Sequence, residues 1–533
     1  MQIISFNCNM PLRFQILILN SQFSIQMNYY IGIDNGGTTT KAALFTGSGK
    51  EVGICSTETK TIISKPGFAE RDMEEMWQAN CYVLKNLLKK TAVDPSQIAG
   101  IACCGHGKGL YLWGQNDAPV RNGIISTDNR AWEYPVKWEK EGVSKLVFEH
   151  SCQKILACQP VSLLAWLKDN EPETLQKIKW IFECKDYVRF RLTGIARAEM
   201  TDYSGANLLN LYTRNYDAEL LALFGLEALY DKLPPLCNST EICGYITQEV
   251  AELTGLKEGT PVAGGMFDID ACAVAVNAAN EDNVCMIAGT WSINEYIRKK
   301  PVLDGSIMMN SLFCLPEFYL IEECSPTSAG NLEWFINTIF PELKTITEQK
   351  GQSFYQIINQ WVESIPANEF CPVFLPFLMG SNVHPNGKAG LIGVNSYHSR
   401  AHVLKGIFEG IAFSHRFHFD KLLKTRNKPV KLIRMAGGVT HSKVWTQIFA
   451  DVLQYPIETV NVNETGALGC AMAAAVATGE YKDLEDAASN MIQLDYKTEP
   501  DPNHIDIYNR KYALYKKIIS ALDGIWDTMY ELM

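Results

Sequence analysis

A turn rich in glycine and threonine lies near the start of the chain between two short apolar runs. Its residues are, in order, Asp34, Asn35, Gly36, Gly37, Thr38, Thr39, Thr40 and Lys41. Backbone N–H groups and hydroxyls in such a turn can surround phosphate oxygens. A carboxylate can hold the water shell of Mg²⁺, and an ammonium group can offset the negative charge of phosphoryl transfer. The segment could equally be an ordinary hairpin turn, so two interpretations stay open.

A second carboxylate follows paired glycines in the segment Gly264–Asp268, which comes after a predicted strand at 261–263. We expect Asp268 to face a cleft, where it could accept the proton of an attacking hydroxyl group. Asp270 is the alternative acid, two residues further along the chain. If a helix begins here, either carboxylate could instead cap its first turn.

Two further turns join a predicted strand to a loop of glycine and small polar residues. They contain, in chain order, Gly289, Thr290, Gly437, Gly438 and Ser442. A glycine turn that leads into a helix presents bare backbone N–H groups to an anion and leaves room for a flat base or a ribose. The pattern therefore favours a nucleotide site in the later part of the chain.

The elements around these turns are arranged twice along the chain. Runs at 29–34, 41–45 and 51–56 predict a meander of three strands around the first turn, and 283–288 with 291–297 repeats that plan. The repeat predicts a duplicated α/β domain with a cleft between the copies, although a coincidental likeness would give the same pattern.

Two long segments carry apolar residues at the helical period, 73–90 and 401–423. We expect these helices to pack on the sheets of the two halves. The boundary between the halves is expected near 268–280, where the segment that contains Asp268 gives way to the second predicted hairpin.

The overall composition limits the function classes. The chain has 533 residues, enough for two large domains, and a net charge of -11, which disfavours nucleic-acid binding. Sixteen cysteines are scattered without disulfide-framework spacing, and no apolar run is long enough to cross a membrane. We therefore expect a cytoplasmic protein, with residues 1–26 an unstructured extension or a misassigned start before Met27.

The turns and carboxylates stand in the order and spacing of the FGGY carbohydrate kinases, and Glu464–Gly469 resembles the start of that family's last helix. The resemblance covers nearly the whole chain. It implies two α/β domains of the actin/hexokinase/Hsp70 ATPase (ribonuclease H-like) fold, with an interdomain cleft in which ATP and sugar meet. We expect residues 27–272 to bind the sugar and residues 273–533 to bind the nucleotide, and the family makes a homodimer reasonable.

The resemblance also implies a role for each motif. Asp34 corresponds to the metal-linked carboxylate and Asp268 to the catalytic base. The implied ATP and phosphate contacts are Gly36, Thr38, Lys41, Gly289, Thr290, Gly437, Gly438 and Ser442. Gly37 stands where threonine is common in the family, so one hydroxyl contact is missing there and backbone donors would have to replace it.

The implied sugar contacts are His106, Lys108, Asp128 and Arg130, together with Asp268. Lys108 lies in a glycine-rich loop, and its ammonium group could pair with a carboxylate of the substrate. A loop lysine that faces solvent is the other interpretation.

Three segments resemble bacterial L-xylulose kinases, which also act on 3-keto-L-gulonate: 107–110, 160–167 and 325–335. The resemblance implies transfer of phosphate from ATP, with Mg²⁺, to the terminal hydroxyl of a ketose. Erythritol, D-xylulose and ribulose kinases share the scaffold and remain alternatives. An inactive sugar-binding regulator of the same fold is another, and chaperone or cytoskeletal ATPases are disfavoured because they would leave the sugar loop without a purpose.

Overall fold

The computed structural model describes residues 28–532. The predicted extension 1–26 lies outside the described residues. The strands in chain order are β1 (Tyr29–Asn35), β2 (Thr39–Thr46), β3 (Glu51–Glu58), β4 (Glu70–Arg71), β5 (Ile98–Gly105), β6 (Tyr111–Gly114), β7 (Gly123–Ile124), β8 (Ile178–Phe182), β9 (Ala198–Glu199), β10 (Leu209–Asn210), β11 (Asn215–Tyr216), β12 (Leu236–Cys237), β13 (Ile242–Tyr245), β14 (Pro261–Ala263), β15 (Asn283–Ala288), β16 (Ser292–Arg298), β17 (Met309–Leu312), β18 (Tyr319–Ser325), β19 (Val373–Leu375), β20 (Gly390–Ile392), β21 (Leu432–Ala436), β22 (Ile457–Val460) and β23 (Leu494–Thr498).

The α-helices pack on both faces of the sheets. In chain order they are α1 (Met73–Thr91), α2 (Glu133–Lys140), α3 (Val143–Ser151), α4 (Pro160–Asn170), α5 (Pro172–Gln176), α6 (Cys184–Thr193), α7 (Met200–Ser204), α8 (Ala218–Leu223), α9 (Gln248–Thr254), α10 (Asp268–Ala275), α11 (Gly330–Ile339), α12 (Pro341–Gln349), α13 (Phe354–Glu363), α14 (Arg400–Lys424), α15 (Lys443–Leu453), α16 (Thr465–Ala477), α17 (Leu484–Met491), α18 (Ile505–Leu522) and α19 (Trp526–Glu531). Between residues 28 and 532, none of the helices has both the length and the hydropathy required to span a bilayer.

The first large sheet has the strand order β13-β14-β5-β1-β2-β3. Strand β1 is antiparallel to β2 and parallel to β5, as expected for a hairpin followed by a crossover helix. Successive side chains of β1 alternate between faces: Ile31 and Ile33 pack with Trp77 of α1, and Tyr30 packs with Ala467 of α16. The predicted meander and the predicted helix 73–90 are confirmed.

The second large sheet has the strand order β17-β18-β16-β15-β21-β22-β23. Its central strand β15 is antiparallel to β16 and parallel to β21, which is the pairing that β1 makes with β2 and β5. The predicted repeat of the strand–turn–strand plan is therefore present in the structure. The long helix predicted at 401–423 is α14, which packs on this sheet.

Helices α10 and α16 cross between the two sheets with their backbones in contact. A Cβ atom on Gly469 would lie 2.2 Å from the carbonyl oxygen of Ala271, and one on Gly32 would lie 1.8 Å from that of Ala467. Only glycine allows such close approaches. The predicted domain boundary, between residues 272 and 273, falls inside α10 and thus within this crossing.

Candidate active site

The first glycine turn lies where β1 ends and β2 begins. Asp34 and Lys41 face each other across the β1–β2 hairpin, and Asp34 is also beside Cys104 at the end of β5. The next loop is tied to the same place, because the backbone N–H of His106 donates to the carbonyl oxygen of Asn35 at 3.0 Å. The predicted phosphate turn and the predicted sugar loop are therefore neighbours.

Lys41 forms an ion pair with Glu464 at the start of α16, with Nζ 2.8 Å from Oε2. Burial disfavours the charged ammonium group, but the charge and hydrogen bond of Glu464, together with the charge of Asp34, outweigh this effect and raise the pKa of Lys41. Gly466 of the same helix lies against Asp34, since a Cβ atom there would be 3.3 Å from Oδ2. The helix therefore supports both charged residues of the turn.

Asp268 is the first residue of α10. Burial, followed by the charges of Asp34 and Asp202, raises its pKa well above the ordinary value of 3.8. A carboxyl group with a raised pKa is a better proton acceptor near neutral pH. The N-cap residue of the helix is Phe267, and no side chain caps it, which argues against a capping role for either acid.

Asp270 has a different environment from Asp268. It is fully buried, and its Oδ1 accepts a hydrogen bond from the backbone N–H of Cys314 at 3.1 Å. The carboxyl group thus connects α10 to the loop after β17. This contact gives Asp270 a structural role and leaves Asp268 as the better candidate for the base.

A buried polar network supports the turn that carries Asp268. The hydroxyl of Thr201 accepts from the N–H of Phe267 at 2.9 Å and donates to Glu199 at 2.7 Å. The guanidinium of Arg189 donates to the carbonyl oxygen of Gly264 in the same turn. The sequence analysis did not single out these residues, whose only signal was an excess of charges between 183 and 202 in an apolar region.

Lys108 reaches the Asp268 turn from the opposite side. Gly107 packs directly on Phe267, because a Cβ atom on this glycine would lie 2.4 Å from the aromatic ring. The ammonium group of Lys108 is 5.0 Å from the centre of that ring and 4.0 Å from Glu322 of β18. Lys108 therefore faces the site, not the solvent.

His106 is buried beside Lys108, and its Nε2 is 2.8 Å from the hydroxyl of Tyr111. Burial, and then the positive charge of Arg71, lower the pKa of His106 to about 3. The imidazole is therefore neutral at physiological pH, and it can only take part in hydrogen bonds as a neutral group.

Asp128 and Arg130 bind each other. Asp128 accepts from the backbone N–H of Ala69 at 2.7 Å and from the Arg130 guanidinium at 2.8 Å. Arg130 also contacts Glu70 at 2.7 Å, and its guanidinium lies 4.3 Å from the centre of the Phe68 ring. Nη1 of Arg130 is buried without a hydrogen-bond partner. Nη1 of Arg130 is therefore available to bind a sugar, whereas Asp128 already accepts hydrogen bonds from Ala69 and Arg130.

The two later glycine turns meet in the second half of the molecule. Gly437 has a φ of +95° and packs on Ala288, which directly precedes Gly289. Gly330, at the start of α11, lies 3.8 Å from Thr290 as measured from an ideal Cβ position. The two turns are therefore adjacent, and a Cβ atom on Gly289 would meet no neighbouring atom.

Ser442, in the loop that follows Gly438, is held by contacts with two neighbouring elements. Ser442 accepts from the N–H of Trp445 at 3.1 Å and caps α15, while its hydroxyl donates to Asn359.

Arg71, which the sequence analysis missed, donates to the carbonyl oxygens of Gly36 and Gly37 in the first turn. The Arg71 side chain is fully buried, and its hydrogen bonds fix the shape of the first turn.

The carboxyl groups of Asp34 and Asp268 fit a divalent cation. The two groups are close enough that the charge of Asp34 contributes to the raised pKa of Asp268, while Lys41 partly offsets the effect of burial on the pKa of Asp34. Oxygen ligands are those that Mg²⁺ prefers, and this ion usually takes one or two carboxylates with waters and phosphates. Within residues 28–532, no group of three or more histidine, cysteine or acidic side chains has the geometry of a protein-only metal site.

Models of two domains match this chain in tandem: the FGGY N-terminal domain at residues 29–275 and the FGGY C-terminal domain at residues 284–478. The chain belongs to the FGGY family of carbohydrate kinases. Its α/β fold is therefore that of the actin/hexokinase-like ATPases, as the sequence resemblance implied. The repeated sheets and the crossing helices of this kinase are the two halves of that fold.

Curated relatives match the kinase along almost its whole length. It is 37% identical over 503 residues to the L-xylulose/3-keto-L-gulonate kinase of Escherichia coli, covering 93% of this chain and 97% of the relative. It is 36% identical to a probable L-xylulose kinase of Pasteurella multocida, covering 94% and 100%. A ligand-bound xylulose kinase from Lactobacillus acidophilus has a TM-score of 0.83 at 25% identity, covering 94% and 100%.

Proposed function

We propose that this kinase transfers the γ-phosphate of ATP to the terminal hydroxyl of L-xylulose, or of a closely related ketose such as 3-keto-L-gulonate. The identity of 36–37% over more than nine tenths of the chain to relatives with these names carries the proposal. The buried position of Lys108, in the loop that also contains His106, supports a polar sugar at this place. Erythritol, D-xylulose and ribulose remain the other substrates to test.

The proposed mechanism begins with the sugar in the first half of the molecule. His106, Lys108 and Arg130 would bind its hydroxyl and carbonyl groups, while Asp128 holds the Arg130 side chain in place. Asp268 would accept the proton of the terminal hydroxyl as that oxygen bonds to the γ-phosphorus and the bond from phosphorus to the bridging oxygen of ADP breaks.

The nucleotide would lie on the second half. The backbone of Gly437 and Gly438, together with Ser442, would border the adenosine, and Gly289 and Thr290 would contact the phosphates. Gly36, Thr38 and Lys41 would meet the transferred group from the other side, where Glu464 keeps Lys41 in position. Mg²⁺ held by Asp34 would supply charge neutralisation at the phosphates when it is bound.

A coupled ADP-release assay tests this function. Purified protein is given Mg·ATP with L-xylulose, 3-keto-L-gulonate, D-xylulose, L-ribulose, erythritol or glycerol, and an Asp268→Asn preparation serves as the matched control. We expect a sugar-dependent rate with L-xylulose that is lost in the control. No rate with any sugar, under conditions in which reference kinases are active, refutes the kinase proposal, and ATP binding without turnover would then favour a regulator.

We further propose that the kinase works in the cytoplasm and forms a homodimer. The cysteines of the described residues are free thiols and most are buried, which is typical of a reducing compartment. Light scattering after size exclusion tests the dimer, and a mass equal to one chain of 59.7 kDa would refute it.

A further inference from the structure

The ammonium group of Lys108 is the positive charge in the proposed sugar pocket. Lys108 adopts a left-handed backbone conformation with a φ of +63°, and its preceding residue, Gly107, packs on the Phe267 ring. Its side chain is only 11% exposed. The ammonium group therefore lies inside the pocket and is largely withdrawn from solvent.

The partner of Lys108 comes from the other half of the molecule. Glu322 belongs to β18, is 2% exposed in its side chain, and places Oε1 4.0 Å from Nζ of Lys108. Its second oxygen, Oε2, is buried and has no hydrogen-bond partner. A buried carboxylate oxygen without a partner is costly unless a ligand supplies a donor.

The surroundings of this ion pair are acidic. Glu295 stands directly opposite Glu322 in the ladder of β16 and β18, and burial raises the pKa of its carboxyl group well above the ordinary value. Asp268 is also near enough for its charge to act on Lys108. The single ammonium group is thus already balanced by Glu322, with further acidic groups close by.

A neutral sugar and an acidic sugar would meet this pair differently. A hydroxyl can accept a hydrogen bond from Lys108 and donate one to Glu322, so one uncharged group satisfies both partners. A substrate carboxylate could bind Lys108 only beside Glu322, where two like charges in a poorly solvated site repel each other strongly.

We infer that Glu322 is a specificity-determining residue that selects a neutral ketose over an acidic sugar, because it neutralises Lys108 and offers an acceptor to a sugar hydroxyl. The inference rests on the proposed function and narrows its substrate class. The sequence analysis suggested that Lys108 could pair with a substrate carboxylate. Under this inference its ammonium group instead donates a hydrogen bond to a sugar hydroxyl.

The test compares kcat/KM for L-xylulose and for 3-keto-L-gulonate. We expect the wild-type kinase to prefer the neutral sugar by about tenfold or more. Glu322→Gln should shrink this preference by about tenfold or more, since an amide does not repel the carboxylate. Glu323→Gln is the matched control, because the neighbouring Glu323 bonds His418 and Lys421 instead, and its preference should stay within about twofold of wild type.

The outcomes distinguish failure of the role given to Glu322 from failure of the proposed kinase function. A wild type that uses the acidic sugar as well as the neutral one, or a Glu322→Gln variant with an unchanged preference, overturns the selection by Glu322 while the kinase function stands. If Glu322→Gln does not fold, Glu322→Thr decides: it also removes the negative charge beside Lys108, so the preference for the neutral sugar should shrink in the same way, and an unchanged preference overturns the inference. A wild type that phosphorylates neither sugar refutes the proposed function, and the inference with it.

Discussion

Replacement of Asp268 by asparagine should impair catalysis and stabilise the fold at the same time. The amide has the size of the carboxyl group but cannot accept the proton of the sugar hydroxyl. General-base catalysis contributes about 10²- to 10⁴-fold to a rate, so kcat should fall by that factor. This corresponds to roughly 3–5 kcal/mol of transition-state stabilisation. The KM for the sugar should change little, because the loop with His106 and Lys108 is not altered.

The effect on stability has the opposite sign. Burial and the charge of Asp34 raise the pKa of Asp268 above its ordinary value of 3.8, so the folded protein binds this proton more tightly than the unfolded chain. Stability therefore falls as pH rises from about 3.8 through the folded-state pKa, and the penalty persists at neutral pH. Asparagine carries no charge and avoids the penalty. At pH 7 we expect a gain of about 1 kcal/mol, or roughly 1 °C in Tm if the two halves unfold together, which disappears below about pH 4.

Two measurements check this prediction: initial rates of ADP release, and thermal unfolding at pH 7 and pH 4. Asp270→Asn is the matched control, since an amide oxygen can still accept the N–H of Cys314 and the variant should keep kcat within about tenfold of wild type. An Asp268→Asn variant with near-normal turnover, or an Asp270→Asn variant with an equal loss, would show that the base is misassigned. A lower Tm for Asp268→Asn at pH 7 would refute the electrostatic reasoning.

Two other variants test residues that contact Phe267, the residue before Asp268. Thr201→Val keeps the shape of the side chain but leaves the buried N–H of Phe267 without an acceptor, so urea unfolding should show a loss of about 1–3 kcal/mol, with a fall in kcat. An unchanged urea midpoint would contradict this role. Gly107→Ala places a methyl group 2.4 Å from the Phe267 ring and should raise the KM for the sugar several-fold without a change in the KM for ATP. Gly524→Ala, where a Cβ atom meets no neighbour, is the control, and equal effects of the two alanines would exclude a local clash.

Much of the fold could be predicted because its signals are local. The apolar runs around Asp34 and Asn283 and the glycine turns after them indicate strands and hairpins without knowledge of distant contacts, and β1, β2, β14 and β15 lie where they were expected. The relative order of these turns carried the family resemblance. The first glycine turn, the loop with His106 and Lys108, and the turn before Asp268 lie next to one another, and the two later glycine turns adjoin each other, but the roles of their residues stay predictions.

The charged partners of the site could not be predicted from local pattern. Lys41 pairs with Glu464, which is 423 residues away, and Lys108 pairs with Glu322 across the two halves. Such pairs depend on how the sheets are placed relative to each other, which no periodicity records. The one visible sign was a pair of glutamates within the apolar run of β18, since charges in a fully buried strand need a specific partner.

The crossing of α10 and α16 has a consequence for the synthesis of the chain. The first sheet is complete at residue 263, but α16, which covers one of its faces, ends only at residue 477. At about 5–20 residues per second, a ribosome needs roughly 10–45 s to supply the missing helix. During that interval the side chains of Tyr30, Ala43 and Phe45 lack the helix that buries them in the folded protein. Exposed apolar surface of this kind makes the nascent first half prone to aggregation, so we expect it to bind chaperones. For the same reason, a polypeptide cut between the two halves should not give two independently soluble fragments.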